Sequence, residues 1–154
     1  MLGAGGAARA AVLALRDGFG LAHVDVVARR PDQAARLVAD LQAGLGASLR
    51  ADACAALAEA DVLVNATPVG MDDADLSPCP PDSFRPGQIV YDLVYGTRPT
   101  RLLQEAAAAG ATTLDGLAML VGQAAGAFRL WTGEDLPLAL ATDAARRALR
   151  HADA

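Results

Sequence analysis

A chain of 154 residues with 18 acidic and 13 basic side chains, net charge −5, is long enough for one domain with a real core. The mild acidity, the 4% aromatic content and the scatter of arginines along helix faces argue against a nucleic-acid partner. No basic segment leading into an apolar run marks a secretory signal, and Cys54, Cys79, His23 and His151 have no metal spacing. Reduced thiols, no metal and a cytoplasmic setting are therefore expected. The most apolar stretch, 117–131, is interrupted by Gln123, Arg129 and two glycines, so it reads as a buried helix and no membrane partner is expected.

Residues 3–10, Gly-Ala-Gly-Gly-Ala-Ala-Arg-Ala, form a glycine-rich turn that runs into a helix, in the pattern G-x-G-x-x-A with Ala8 as the small third residue. Glycines let a backbone turn tightly against a diphosphate, and the N–H groups at the helix start point at it. Gly/Ala-rich helix starts also occur without a ligand. A strand should feed this turn, and only Met1 and Leu2 precede it. The helix covers 7–16 and is closed by Asp17-Gly18. A β-branched strand follows at 23–27. Pro31 opens a helix over 32–43, with Ala34, Leu37, Val38 and Leu41 at helical spacing.

A short edge strand at 47–49 and a short helix at 52–60 come next. Residues 61–65 make a strand with little alternation, as when both faces are buried. A loop over 67–86 carries five prolines. A strand at 88–93, a helix at 100–109, a short strand at 112–114 and helices at 116–132 and 138–149 complete the chain. Strands alternating with helices give an α/β fold: a Rossmann-like doubly wound parallel sheet with helices on both faces, its first strand truncated, in one domain over 1–154.

Four stretches carry chemistry. The glycine turn is the first, and the end of the second strand tests it. An NAD site usually places an acid there for the ribose 2′-hydroxyl, whereas an NADP site uses arginine for the 2′-phosphate. The strand ends Ala28-Arg29-Arg30 with no acid at its tip. Guanidinium groups bind phosphate in bidentate fashion, so NADP is expected over NAD or S-adenosylmethionine. The alternative is a solvated arginine pair. The second further stretch is Asn65-Ala66-Thr67-Pro68-Val69-Gly70-Met71, across the topological switch from the first strand. Asn65 and Thr67 could bond the cofactor's ribose or diphosphate, or simply make a good turn.

The third is Tyr91-Asp92-Leu93-Val94-Tyr95-Gly96, where Leu93 could pack on a nicotinamide and the Tyr95 hydroxyl could reach a polar substrate. Otherwise Tyr95 is an ordinary rim tyrosine. The fourth runs over 115–125. Gly116, Met119 and Gln123 stand at i, i+3 and i+7 and share one helix face. Gly116 would let a ligand approach the backbone, Met119 would face a ring, and Gln123 would suit a hydroxyl-rich ligand. A core methionine and a satisfied core glutamine are the commoner explanation.

In order and spacing, these stretches resemble the C-terminal NADP-binding domain of shikimate dehydrogenase over essentially the whole chain. That family reduces 3-dehydroshikimate to shikimate with NADPH in aromatic amino-acid biosynthesis. The resemblance implies diphosphate contacts at Gly3, Ala4, Gly5, Gly6 and Ala7, and a 2′-phosphate clamp around Ala28, Arg29 and Arg30. It places Leu93, Gly116 and Met119 by the nicotinamide, and Tyr95 and Gln123 at the shikimate. Two departures stand out: the family often has Asn-Arg-Thr where this chain has Ala28-Arg29-Arg30, and a second clamp arginine found in some members is absent near Gln33.

In the family a substrate domain precedes the glycine turn and supplies a catalytic Lys–Asp pair. This chain has no lysine, and arginine is a poor proton donor. No catalytic residue is therefore assigned, and the chain is expected to be a fragment, inactive unaided. Without a full first strand, two inner sheet edges would lack a partner, so poor solubility or a homodimer through those edges is expected. The alternatives are a non-catalytic NADPH-binding module working with a partner chain, and an NAD-preferring quinate/shikimate dehydrogenase.

Overall fold

Met1 and Leu2 point to opposite faces of one parallel sheet, and that alternation organises the molecule. The computed structural model describes residues 1–19, 23–45, 48–51 and 57–152. Within them run α1 (Gly6–Phe19), β1 (His23–Val26), α2 (Pro31–Leu45), β2 (Ser48–Ala51), β3 (Val62–Asn65), β4 (Ile89–Asp92), α3 (Arg101–Ala108), β5 (Thr112–Leu114), α4 (Leu117–Thr132) and α5 (Leu138–Ala152). All strand pairs are parallel, β1 with β2, β3 with β4 and β4 with β5.

The two strand groups meet on residues 1–3. Leu2 forms parallel bridges to both Val27 and Asn65. Its N–H donates to the Val64 carbonyl at 2.8 Å, and its carbonyl accepts from Ala66 N–H at 2.8 Å. On the other side Val27 N–H donates to the Met1 carbonyl at 2.9 Å, and Gly3 N–H to the Val27 carbonyl at 2.8 Å. The strand order is therefore β2-β1-(1–3)-β3-β4-β5, that of a doubly wound dinucleotide-binding sheet. Residues 23–24 of β1 and 62–63 of β3 have no strand partner on the side where they face each other, among the described residues. The Met1 amine donates to the Asp25 carbonyl at 2.8 Å, and burial pulls its pKa down to about 6.

Each face of the sheet has its own core. On one, Met1, Val26 and Val64 pack with Ala8 and Val12 of α1 and Ala34, Leu37 and Leu41 of α2. On the other, Leu2, Leu63 and Val90 pack with Leu102, Leu103 and Ala106 of α3 and with Cys79 and Phe84. The adjacent Leu63 and Val64 serve opposite cores, so β3 shows no polar alternation. The loop between β3 and β4 makes one 3-10 turn at Pro81–Ser83. It is tied to the start of α3 by the Arg98 guanidinium, which grips Asp75 with two bonds of 2.8 and 3.0 Å, and by Arg101 N–H on the Ala74 carbonyl.

Three expectations change. The first helix continues past Gly18 to Phe19, since one glycine weakens a helix without ending it. Of the helix expected at 52–60, residues 52–56 lie outside the described residues and 57–59 form a turn. Finally, α4 is not a buried helix. Of its residues only Leu117 and Val121 are buried, while Leu130 and Trp131 are more than 80% exposed. No helix among the described residues is long and apolar enough to cross a membrane.

Candidate functional site

The candidate residues follow the C-terminal ends of successive strands along one edge of the sheet, where ligands sit in such folds. The order across that edge is Arg29 after β1, the glycine turn after residues 1–3, residues 65–67 at the end of β3, residues 93–95 after β4, and Gly116 after β5. His23 stands at the opposite end of β1, bonded to Asp25 at 2.8 Å, and His151 bonds the Arg147 carbonyl on α5.

The glycine turn divides into a packed half and an open half. Gly3 is buried with φ +98°, and a Cβ on it would lie 2.9 Å from the Ala66 carbonyl oxygen. Both its conformation and its contact exclude a side chain. Gly5 and Gly6 are exposed, and a Cβ on either would meet no atom within 4 Å. Ala4 is half-buried against the core and Ala7 is exposed. The first N–H groups of α1, which starts at Gly6, have no partner within the helix. An open glycine surface beside outward N–H groups fits a diphosphate. Ala8 is fully buried between helix and sheet, as a small residue there allows.

Arg29 and Arg30 are exposed in the bend before α2, with Ala28 half-buried behind them. Neither guanidinium has an ion pair among the described residues. Arg9, Arg85, Arg98, Arg101 and Arg129 each hold a carboxylate, while Arg36, Arg146, Arg147 and Arg150 have no ion pair among the described residues either but lie on α2 and α5, away from the glycine turn in sequence. Two cations left without a protein anion beside the glycine turn suit a phosphate monoester.

At the end of β3 the structure gives Asn65 a different job from the one expected. It is fully buried and its amide is committed within the protein. Oδ1 accepts from Thr67 N–H at 3.0 Å and from Thr67 Oγ1 at 2.7 Å, while Nδ2 donates to Asp92 Oδ1 at 2.8 Å and to the Val69 carbonyl at 3.3 Å. Nothing of the side chain is left for a ligand. Thr67 is occupied too: its hydroxyl also accepts from Val69 N–H at 3.2 Å, and its methyl faces Gly3. Both side chains brace the floor under the glycine turn.

Gly116 also changes meaning. Its backbone is ordinary, φ −77° and ψ −3°, but a Cβ would stand 2.0 Å from the Leu93 carbonyl oxygen. Glycine is needed there for the crossing of two chain segments, with Gly116 N–H donating to the Val94 carbonyl at 3.1 Å. Leu93 is half-buried and Tyr95 is 37% exposed. Met119 is half-buried and Gln123 exposed, so Gln123 is not a satisfied core glutamine. A cavity of about 380 Å³ opens beside Tyr95, lined also by Thr97, Gln104, Thr113 and Asp115. Burial, with the Asp115 charge adding to it, raises the Tyr91 pKa.

Reading the sequence gave no role to Asp92 or Thr100. Asp92 closes β4 and is fully buried, with Thr100 Oγ1 donating to its Oδ2 at 2.6 Å. Burial pushes the Asp92 carboxyl upward, against the pull of its hydrogen bonds from Thr100, Val94 and Asn65. The available signal was an acid ending an otherwise apolar strand.

Known proteins resemble this chain in sequence and fold. The sequence family described as "Shikimate 5'-dehydrogenase C-terminal domain" matches residues 116–150. The shikimate dehydrogenase (NADP(+)) of Salinibacter ruber is 47% identical over 95% of this chain and 54% of its own length. A crystal structure of shikimate 5-dehydrogenase from Thermus thermophilus, in complex with NADP(H) and shikimate, superposes with a TM-score of 0.83 at 44% identity, over 96% of this chain and 54% of that one. Quinate dehydrogenase from Corynebacterium glutamicum, in complex with NAD, gives 0.82 at 32% identity, over 92% of this chain and 52% of that one. The chain thus resembles shikimate dehydrogenases along nearly its whole length, and it spans about half the length of the curated relatives it matches.

Proposed function

We propose that this chain, alike in sequence and fold to half of a shikimate dehydrogenase, is the part that holds NADP, and that the whole enzyme interconverts 3-dehydroshikimate and shikimate. The observation that carries the cofactor reading is the pairing of an open glycine surface at Gly5 and Gly6 with two arginines, Arg29 and Arg30, that lack a protein anion among the described residues. Gly5, Gly6 and Ala7 would receive the diphosphate on the N–H groups of α1. Arg29, with Arg30 beside it, would hold the 2′-phosphate.

When bound, NADPH would supply the hydride. The residues of this chain orient it: Leu93 and Met119 offer apolar surface to the nicotinamide, and Gly116 keeps the Leu93 segment close to the start of α4. Tyr95 and Gln123, both exposed beyond that surface, are the proposed contacts to the hydroxyl-rich substrate. No residue of the chain is assigned to proton delivery, which fits the absence of lysine from its sequence.

Titration of the purified chain with NADPH and NADH tests the cofactor. NADPH should bind more tightly, and Arg29→Ala should weaken NADPH about tenfold or more, the worth of one charge-assisted bond, while leaving NADH nearly unchanged. Equal losses for both would overturn the 2′-phosphate role, and NADH binding more tightly than NADPH would favour the NAD-preferring alternative, for which the NAD-bound quinate dehydrogenase is the relevant relative. For the purified chain, the parts of β1 and β3 that have no strand partner among the described residues favour self-association. Light scattering should find a mass above the monomer's 15.7 kDa, and a monomer with a cooperative melt would contradict this.

A further inference from the structure

We infer that Asp92 is a positioning residue that locks the diphosphate floor and the nicotinamide rim of the candidate site to each other; the inference rests on the cofactor reading above. The carboxylate accepts three hydrogen bonds from three segments. Oδ1 takes Asn65 Nδ2 at 2.8 Å and Val94 N–H at 3.0 Å, and Oδ2 takes Thr100 Oγ1 at 2.6 Å. Asn65 gathers the turn over 65–69, whose Thr67 methyl and Ala66 carbonyl close on Gly3. Val94 lies between Leu93 and Tyr95, and its carbonyl receives Gly116 N–H. Thr100 caps α3 by accepting from Leu103 N–H.

One carboxylate therefore connects the floor beneath the glycine turn, the loop carrying the proposed nicotinamide and substrate contacts, and the helix that backs that loop. A fully buried carboxylate is a costly way to hold a fold together, since apolar residues of similar size often serve stability as well. Its directional bonds can do what apolar packing does not: fix where Val94, and with it Leu93 and Tyr95, stand relative to Asn65. The arginine end of the site, on the far side of the glycine turn, has no bond to this network among the described residues.

That asymmetry supplies the test. Adenosine 2′,5′-bisphosphate reaches the Arg29 end and one phosphate position at the glycine turn but not the nicotinamide rim, whereas NADPH spans the site. Asp92→Asn, Thr100→Val and Thr100→Ser are compared with the unaltered chain by titration with both ligands and by thermal melts. Asp92→Asn keeps the shape and removes the charge. Thr100→Val keeps the methyl contact toward Gly70 and leaves Oδ2 without its donor, while Thr100→Ser restores that donor.

The expected result is a loss of NADPH affinity of about tenfold for Thr100→Val and Asp92→Asn, with the bisphosphate affinity changed by less than about twofold and Thr100→Ser close to the unaltered chain. Equal losses for both ligands, or melts lowered with NADPH affinity unchanged, would overturn the positioning role and leave a plain stability role. If Asp92→Asn does not fold, the threonine pair decides alone. If the unaltered, folded chain binds the bisphosphate but not NADPH, the positioning claim falls with the nicotinamide half of the site. If it binds neither, the cofactor reading itself has failed.

Discussion

The two halves of the candidate site are built by different means. On the proposed diphosphate side the groups on offer are backbone: N–H groups at the start of α1, an open surface at Gly5 and Gly6, and Gly3 pressed against Ala66. On the proposed nicotinamide side the loops are set by buried side chains, Asp92 and Thr100, which Asn65 ties back to the floor under the glycine turn. A backbone site depends on what is absent, since any Cβ at the wrong place closes it. A side-chain site depends on what is present, and each member needs its partners satisfied. Glycine appears on both sides, for separable reasons, and substitutions at three glycines sharpen the contrast.

The largest effect belongs to Gly116→Ala. The backbone at Gly116 is open to any residue, so the cost is purely steric: a methyl carbon 2.0 Å from the Leu93 carbonyl oxygen forces the segments after β4 and β5 apart. Overpacking usually costs about 1–3 kcal/mol and more where backbone must move, so a loss of about 3 kcal/mol or more is expected in a urea melt. A loss under about 1 kcal/mol would mean that the crossing yields easily and that Gly116 does not hold the nicotinamide rim in place.

The two sides also differ in how far they could be read from sequence. The strand and helix pattern was legible because each element carries a local period: Leu37 and Leu41 fall on one face of α2, and Leu63 and Val64 point to opposite cores from β3. On the proposed diphosphate side the turn itself was legible, because a glycine run before a helical period marks a tight turn into a helix start. Asn65 was misassigned because an amide after a strand looks the same whether it faces a ligand or the interior. Its partner Asp92 is 27 residues away, a pairing that only the parallel register of β3 and β4 creates. The same holds for Gly116, whose close neighbour Leu93 comes from the preceding strand end. The exposure of α4 was hidden for the opposite reason: an apolar sequence specifies a surface to be covered, not what covers it.

The smallest stability effects separate Gly3 from Gly5, and they test the backbone side directly. Gly3→Ala must adopt φ +98° and place a methyl 2.9 Å from the Ala66 carbonyl, so a destabilisation of about 1–3 kcal/mol is expected with NADPH binding weakened alongside. Gly5→Ala meets neither obstacle. Its Cβ would enter open space, and alanine loses less backbone freedom on folding than glycine does, so the melt should shift by no more than about 0.5 kcal/mol in either direction. That open space is where the proposed diphosphate lies, and a methyl there holds the phosphates away from the N–H groups of α1. Gly5→Ala should therefore lose NADPH affinity by about tenfold while its urea midpoint hardly moves. If affinity and stability fall together at Gly5, the space beside it belongs to the fold. If neither falls, the diphosphate lies elsewhere, and the contrast between a backbone half and a side-chain half collapses.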